Sequence, residues 1–192
     1  MKKAMQWIAA LSCLLTILSV VVYIQIRSPA VLPLCITLGT IAYHFVMRLA
    51  VGLAFQIGMK NRADYHKSWY RQKHWEGKLY DRLRVRRWKG KLPTYESRFF
   101  DPKIHTWEEI AQAMCQAELV HESIVLLSFL PLAASIWFGE FPVFLITSLA
   151  AAVLDLLFVI LQRYNRPRVV RLAERMRGRN RAHSNRECRI VE

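Results

Sequence analysis

The sequence predicts an all-α fold: a polytopic membrane helix bundle of about four transmembrane helices, with a basic interfacial helical segment between the second and third. Three observations carry this. Hydrophobic residues make up 54% of the 192 and fall in long blocks almost free of charge. The 28 Lys and Arg outnumber the 14 Asp and Glu, for a net charge of +14, and they collect in the gaps between those blocks. The blocks themselves are long enough for the ~30 Å hydrocarbon core of a bilayer. A soluble nucleic-acid binder would interleave apolar and basic residues at helical or strand period, so no nucleic-acid partner is expected, and the positive charge marks a cytosolic face. The four cysteines, Cys13, Cys35, Cys115 and Cys188, are far apart and form no C-x-x-C pair. They fit neither a disulfide framework nor a thiolate zinc site and are read as inert thiols.

The elements follow in order. Lys2 and Lys3 precede residues 4–26, an uncharged stretch read as a retained first span rather than a signal peptide, whose apolar core is shorter. Pro29 and Pro33 suit a helix start, and a second span covers residues 30–55. Apolar residues continue to Met59, so this helix either tilts or ends near Arg48 and continues in the interface. Residues 60–116 form the cytosolic interfacial segment, where Lys and Arg alternate with Tyr65, Trp69, Tyr70, Trp75, Tyr80 and Trp88, a headgroup-zone composition. Trp75, Leu79, Leu83 and Arg86 recur at helical spacing, with Gly90 and Pro93 as breakers. Thr106-x-x-Glu109 is a capping box that starts a helix near Trp107. That helix runs into a third span, residues 117–138, kinked at Pro131. Gly139-Glu140 is an outer turn. Residues 141–161 form a fourth span whose single charge is Asp155. A turn at the membrane exit, Gln162-Arg163-Tyr164-Asn165-Arg166-Pro167-Arg168, leads to a short helix. One membrane domain thus covers residues 1–177, followed by a basic, disordered tail over 178–192. The outer turns carry only Arg27 and Glu140, so both termini are expected in the cytosol.

Ionisable groups near a span are costly and therefore functional candidates. Glu118, His121 and Glu122 share one helical face at the mouth of the third span. His44 and Arg48, four residues apart, offer a second wall. Asp155, an acid midway along a helix, needs a partner, and Arg48 or His44 are the available ones.

Three stretches, Trp88-Lys89-x-Lys91, Ala117-Glu118-Leu119-x-His121 and above all the 162–168 run, resemble the glycosyl-4,4'-diaponeurosporenoate acyltransferases. The likeness covers about residues 60–177. These are bacterial membrane proteins that place a fatty acyl group on the sugar of staphyloxanthin-type carotenoids. The resemblance implies a multi-pass protein of the bacterial cell membrane, with membrane lipids, an acyl-thioester donor and an apolar glycosylated acceptor as partners. It implies no bound cofactor, since acyl-CoA or acyl carrier protein would act as donor substrate.

For such a transfer, a hydroxyl must lose its proton as it attacks a thioester. His121 is the candidate base, with Glu118 or Glu122 orienting it. Arg48, Lys89, Arg163 or Arg166 are candidates for gripping donor phosphates or an oxyanion. Asn165 is a candidate donor to the acyl carbonyl. Trp88, Gln162, His44 and Asp155 complete the expected substrate-binding set. The basic run 86–91 is read either as a hold for a phosphate or acidic carrier protein, or as a solvated, lipid-facing stretch. Other readings stay open: a small membrane methyltransferase, a non-catalytic assembly protein with a basic platform, or a metal site from His44, Glu118 and His121.

Overall fold

Backbone amides inside hydrocarbon have no water to bond, so a spanning segment must satisfy itself as helix. The computed structural model describes residues 2–92 and 97–191, and the side chains of all of these except 97 and 182–191. Among the described residues the regular structure is entirely helical: α1 (Lys2–Ile26), α2 (Leu32–Met59), α3 (His74–Arg82), α4 (Val85–Trp88), α5 (Trp107–Leu127), α6 (Ser135–Phe138) and α7 (Phe141–Val191), with short 3-10 turns between some of them. Four stretches are long and apolar enough to cross a membrane: Lys2–Ile26, Pro29–Met59, Trp107–Phe138 and Phe141–Arg181. The all-α fold class and the four spans expected from the sequence are both present.

The chain divides into two compact units, the first built from residues 2–60 and 119–159, the second from residues 61–92, 97–118 and 160–191. The division falls inside α5 and inside α7. It follows the change between uncharged span and basic segment near residues 60, 118 and 160.

The first unit is apolar outside, and the face that α1 buries is made of small residues. Leu126 is 76% exposed and Trp137 75%, whereas the buried residues of α1 are Ala9, Ser12 and Ser19. These small residues let α1 approach α2 closely. A Cβ added at Gly39 of α2 would meet the Thr16 methyl at 3.7 Å. Several hydroxyls inside the spans bond back to their own helix, as in Ser12 Oγ to Ala9 O (3.0 Å) and Thr40 Oγ1 to Ile36 O (3.0 Å), which hides them from an apolar surround. The 28 residues of α2 form one unbroken helix of about 42 Å. It ends at Lys60, whose left-handed backbone (φ 49°) turns the chain.

Pro131 does more than kink its helix. It has no N–H to give to the carbonyl four residues back. That carbonyl belongs to Leu127, where α5 stops; a 3-10 turn, Leu130–Ala134, follows before α6. The hydroxyl of Tyr43 on α2 donates to Leu127 O at 2.9 Å and supplies the missing bond.

The second unit has a conventional core, including Ala63, Tyr70, Tyr80, Val85, Ile110, Met114 and Cys115. The capping box forms as expected: Thr106 N donates to Glu109 Oε2 (2.8 Å) and Glu109 N to Thr106 Oγ1 (3.2 Å). The helix expected around Trp75 is broken. Arg84 takes a left-handed conformation (φ 49°, ψ 41°) that separates α3 from α4. The face it buries is Glu76 and Tyr80, while Trp75 and Leu83 point outward. Pro93, expected as a breaker, lies outside the described residues. The 162–168 run is no turn; it lies within α7, Pro167 included. The backbone stays helical to Val191, where composition predicts an unstructured tail from 178.

Candidate active site and a buried ion cluster

An isolated charge among apolar helices is expensive, so each one must find a partner. In the first unit Asp155 of α7 forms an ion pair with Arg48 of α2 through Oδ2. The same guanidinium donates to His44 O (3.1 Å) and Ala151 O (3.2 Å). The second oxygen of Asp155, Oδ1, lies 2.9 Å from Nδ1 of His121 on α5. The imidazole stacks on Phe158, with ring centroids 4.8 Å apart and planes 12° from parallel. Three spans thus fix one ring: an aromatic face sets its plane and a carboxylate holds one nitrogen. With the proton on Nδ1, facing Asp155, Nε2 carries the lone pair.

Two neighbours remain unsatisfied. Both ring nitrogens of His44 and Oγ of Ser148 are buried without a hydrogen-bond partner among the described residues. The Arg48 guanidinium touches the carbonyls of His44 and Ala151, so it joins the turn of α2 that carries His44 to the turn of α7 that carries Ser148. Unlike Ser12, Ser128 or Thr147, Ser148 does not bond back to its own helix. Buried polar groups normally find partners, and those that do not call for a reason.

In the second unit Glu118 is 0% exposed and Arg166 2%. Glu118 Oε1 accepts from Arg163 Nη1 at 2.6 Å, and Oε2 pairs with Arg166. Arg163 reaches Glu76 Oε1 as well, from Nη2 (2.6 Å) and Nε (3.1 Å). Glu76 Oε2 takes the Tyr80 hydroxyl at 2.7 Å, and Arg166 donates to Tyr70 O. The result is a neutral set of two guanidiniums and two carboxylates with its valences filled. Burial alone would raise the Glu76 carboxyl, but the hydrogen bonds from Arg163 and Tyr80 and the arginine charge outweigh it and hold it below its ordinary value. Tyr80 is pushed up, first by burial and then by its bond to Glu76.

The expected site residues therefore separate. His121, Asp155, Arg48 and His44 come together in the first unit, which also holds the half-buried Glu122. Glu118, expected to orient His121, spends both oxygens on arginines of the second unit; the carboxylate on His121 Nδ1 is Asp155. Arg163 and Arg166, expected to grip substrate, are committed to Glu76 and Glu118. Lys89 Nζ meets Asn165 Oδ1 at 3.3 Å, Trp88 Nε1 closes onto Leu83 O at 3.0 Å, and Gln162 is half-buried. Glu76 and Ser148 are not singled out by the sequence, and Tyr80 stands there only among the headgroup-zone aromatics. Only the i, i+4 spacing of Glu76 and Tyr80 hinted at a shared face. No group of three or more His, Cys, Asp or Glu among the described residues is placed to hold a metal, so the set His44, Glu118 and His121 does not assemble.

Four spanning stretches, with ionised side chains paired inside them, define a polytopic integral membrane protein. The chain belongs to the glycosyl-4,4'-diaponeurosporenoate acyltransferase family, whose model matches residues 66–175, more than half of its length. No curated protein and no solved structure matches it. The match bears out the resemblance read from the three stretches. It includes His121 and Asp155, while His44 and Arg48 precede it.

Proposed function

We propose that the protein is a membrane acyltransferase that moves a fatty acyl group from a thioester donor to a hydroxyl of a glycosylated lipid acceptor. The observation that carries this reading is the His121–Asp155–Arg48 relay: a stacked imidazole with one nitrogen on a carboxylate, among apolar spans that suit a fatty chain. Family membership supports the reaction class.

His121 Nε2 takes the proton of the acceptor hydroxyl as its oxygen attacks the thioester carbonyl. The C–O bond forms, the C–S bond breaks, and the leaving sulfur receives the proton as thiol. Asp155 keeps the ring in the required tautomer and Arg48 holds Asp155 in place; both are positioning residues. His44 and Ser148, with open hydrogen-bonding capacity, meet an oxygen of the acceptor. The basic interfacial segment and both termini face the cytosol.

Purified protein in lipid discs, given labelled acyl thioester and a glycosylated apolar alcohol, tests this. Wild type forms labelled ester; His121→Ala inserts and folds but does not. Ester formation by His121→Ala near the wild-type rate would remove the histidine from the reaction.

A further inference from the structure

The buried arginines Arg48, Arg163 and Arg166 are each matched to a carboxylate. A different group of cations is not. Beyond α3 the second unit opens a cleft of about 750 Å³ lined by Arg84, Arg86, Arg87, Lys89 and Arg168, with Asp81 as the lone carboxylate. None of the five is in an ion pair among the described residues. Like charges facing one cleft repel, so an arrangement of this kind stores a strong positive potential.

The cleft has a fixed floor. Val85, fully buried, anchors the turn that begins at the left-handed Arg84. Lys89 lies 5.1 Å from the ring centre of Tyr164, and Arg168 lies 4.6 Å from the same centre while donating to its hydroxyl (3.0 Å). Tyr164 packs edge-on against Tyr80, whose hydroxyl is held by Glu76. Two of the five cations, Lys89 and Arg168, are thus held on a ring braced on the buried ion cluster, unlike a loose basic run in solvent.

We infer that this cleft is a binding site for a phosphate ester carrying at least two phosphate groups. Arginine forks match phosphate oxygens in pairs. A volume of about 750 Å³ is that of a small-molecule site rather than of a protein-docking face. Five cations against one carboxylate leave a net charge of +4, more than a single phosphomonoester at about −2 neutralises. The site stands on its own geometry. Only the identity of its ligand as the phosphorylated head of the acyl donor rests on the acyl-transfer reading.

The test is titration of full-length protein, in discs of uncharged lipid, with inorganic pyrophosphate and with ADP. The expected result is saturable binding that Arg86→Gln/Arg87→Gln weakens at least tenfold and that added salt weakens. Both side chains are exposed, so the variant's thermal unfolding should match wild type. A parallel arm adds phosphatidic acid to the discs. Displacement of pyrophosphate by that lipid supports the phosphate site and assigns it to a headgroup; no displacement supports it with a soluble ligand. Absent pyrophosphate binding, or binding equal in the variant, overturns the site. His121→Ala should bind pyrophosphate normally, so loss of ester formation there and loss of binding here are separate failures.

Discussion

Each unit buries charge, and each does it differently. In the second unit Glu118 and Glu76 accept from Arg163, Arg166 and Tyr80 until every carboxylate oxygen is engaged. In the first, Asp155 is engaged on both oxygens, yet the chain of contacts ends on an imidazole whose other nitrogen is not in that chain, and the same unit holds a histidine and a serine whose buried polar atoms have no hydrogen-bond partner among the described residues. A saturated network can only hold its members in place; one that stops short retains the capacity to bond something else. Carboxylates and arginines of the same type, buried to a similar degree, thus close a saturated cluster in one unit and hold an imidazole in the other.

The comparison breaks most visibly at Glu118. Glu118→Ala leaves two guanidiniums without their shared acceptor, at a cost of about 3–5 kcal/mol, and is expected to lower the thermal midpoint sharply or abolish recovery of folded protein in detergent. If Glu118→Ala stays as stable as wild type, the cluster is not structural. His121→Ala should do the opposite: stability near wild type, with the acyl-transfer rate down roughly 10²- to 10⁴-fold, the range for a lost general base. A narrower effect comes from replacing the Arg48–Asp155 pair by Met and Leu together. Apolar exchange of a buried pair is often neutral or stabilising, so this double variant should unfold no earlier than wild type while its rate falls with that of His121→Ala; retained rate would show that His121 needs no carboxylate.

A smaller effect concerns pH. The folded Glu76 carboxyl lies below its ordinary value of 4.5. The stability it contributes is therefore complete above pH 4.5 and is lost as the pH falls through the depressed folded value. Unfolding midpoints measured at decreasing pH should decline in wild type and decline less in Glu76→Gln. The least effect belongs to Thr106→Ala, which removes one half of the capping box and should cost about 1 kcal/mol, seen as a small shift in the denaturation midpoint.

Much of this was legible in one dimension. The spans follow from blocks of uncharged residues, and the Thr106–Glu109 box from local spacing. The pairing of Asp155 with Arg48 follows from the cost of an unmatched acid, since few cations occur inside the spans. Other features were not legible because they depend on how helices are rotated against each other. Helical spacing makes Glu118 a neighbour of His121, yet it says nothing about which side chains from α3 and α7 arrive at that carboxylate. The 162–168 run carries Pro167 and reads as a turn; packing on both sides of it keeps the helix continuous, and tertiary context overrides local propensity. Ser148 looked like any hydroxyl in a span, and only its failure to bond its own helix sets it apart.

The full engagement of Asp155 has one more consequence. One oxygen is held by Arg48 and the other lies against the ring, so the imidazole cannot rotate without giving up its contact with the carboxylate.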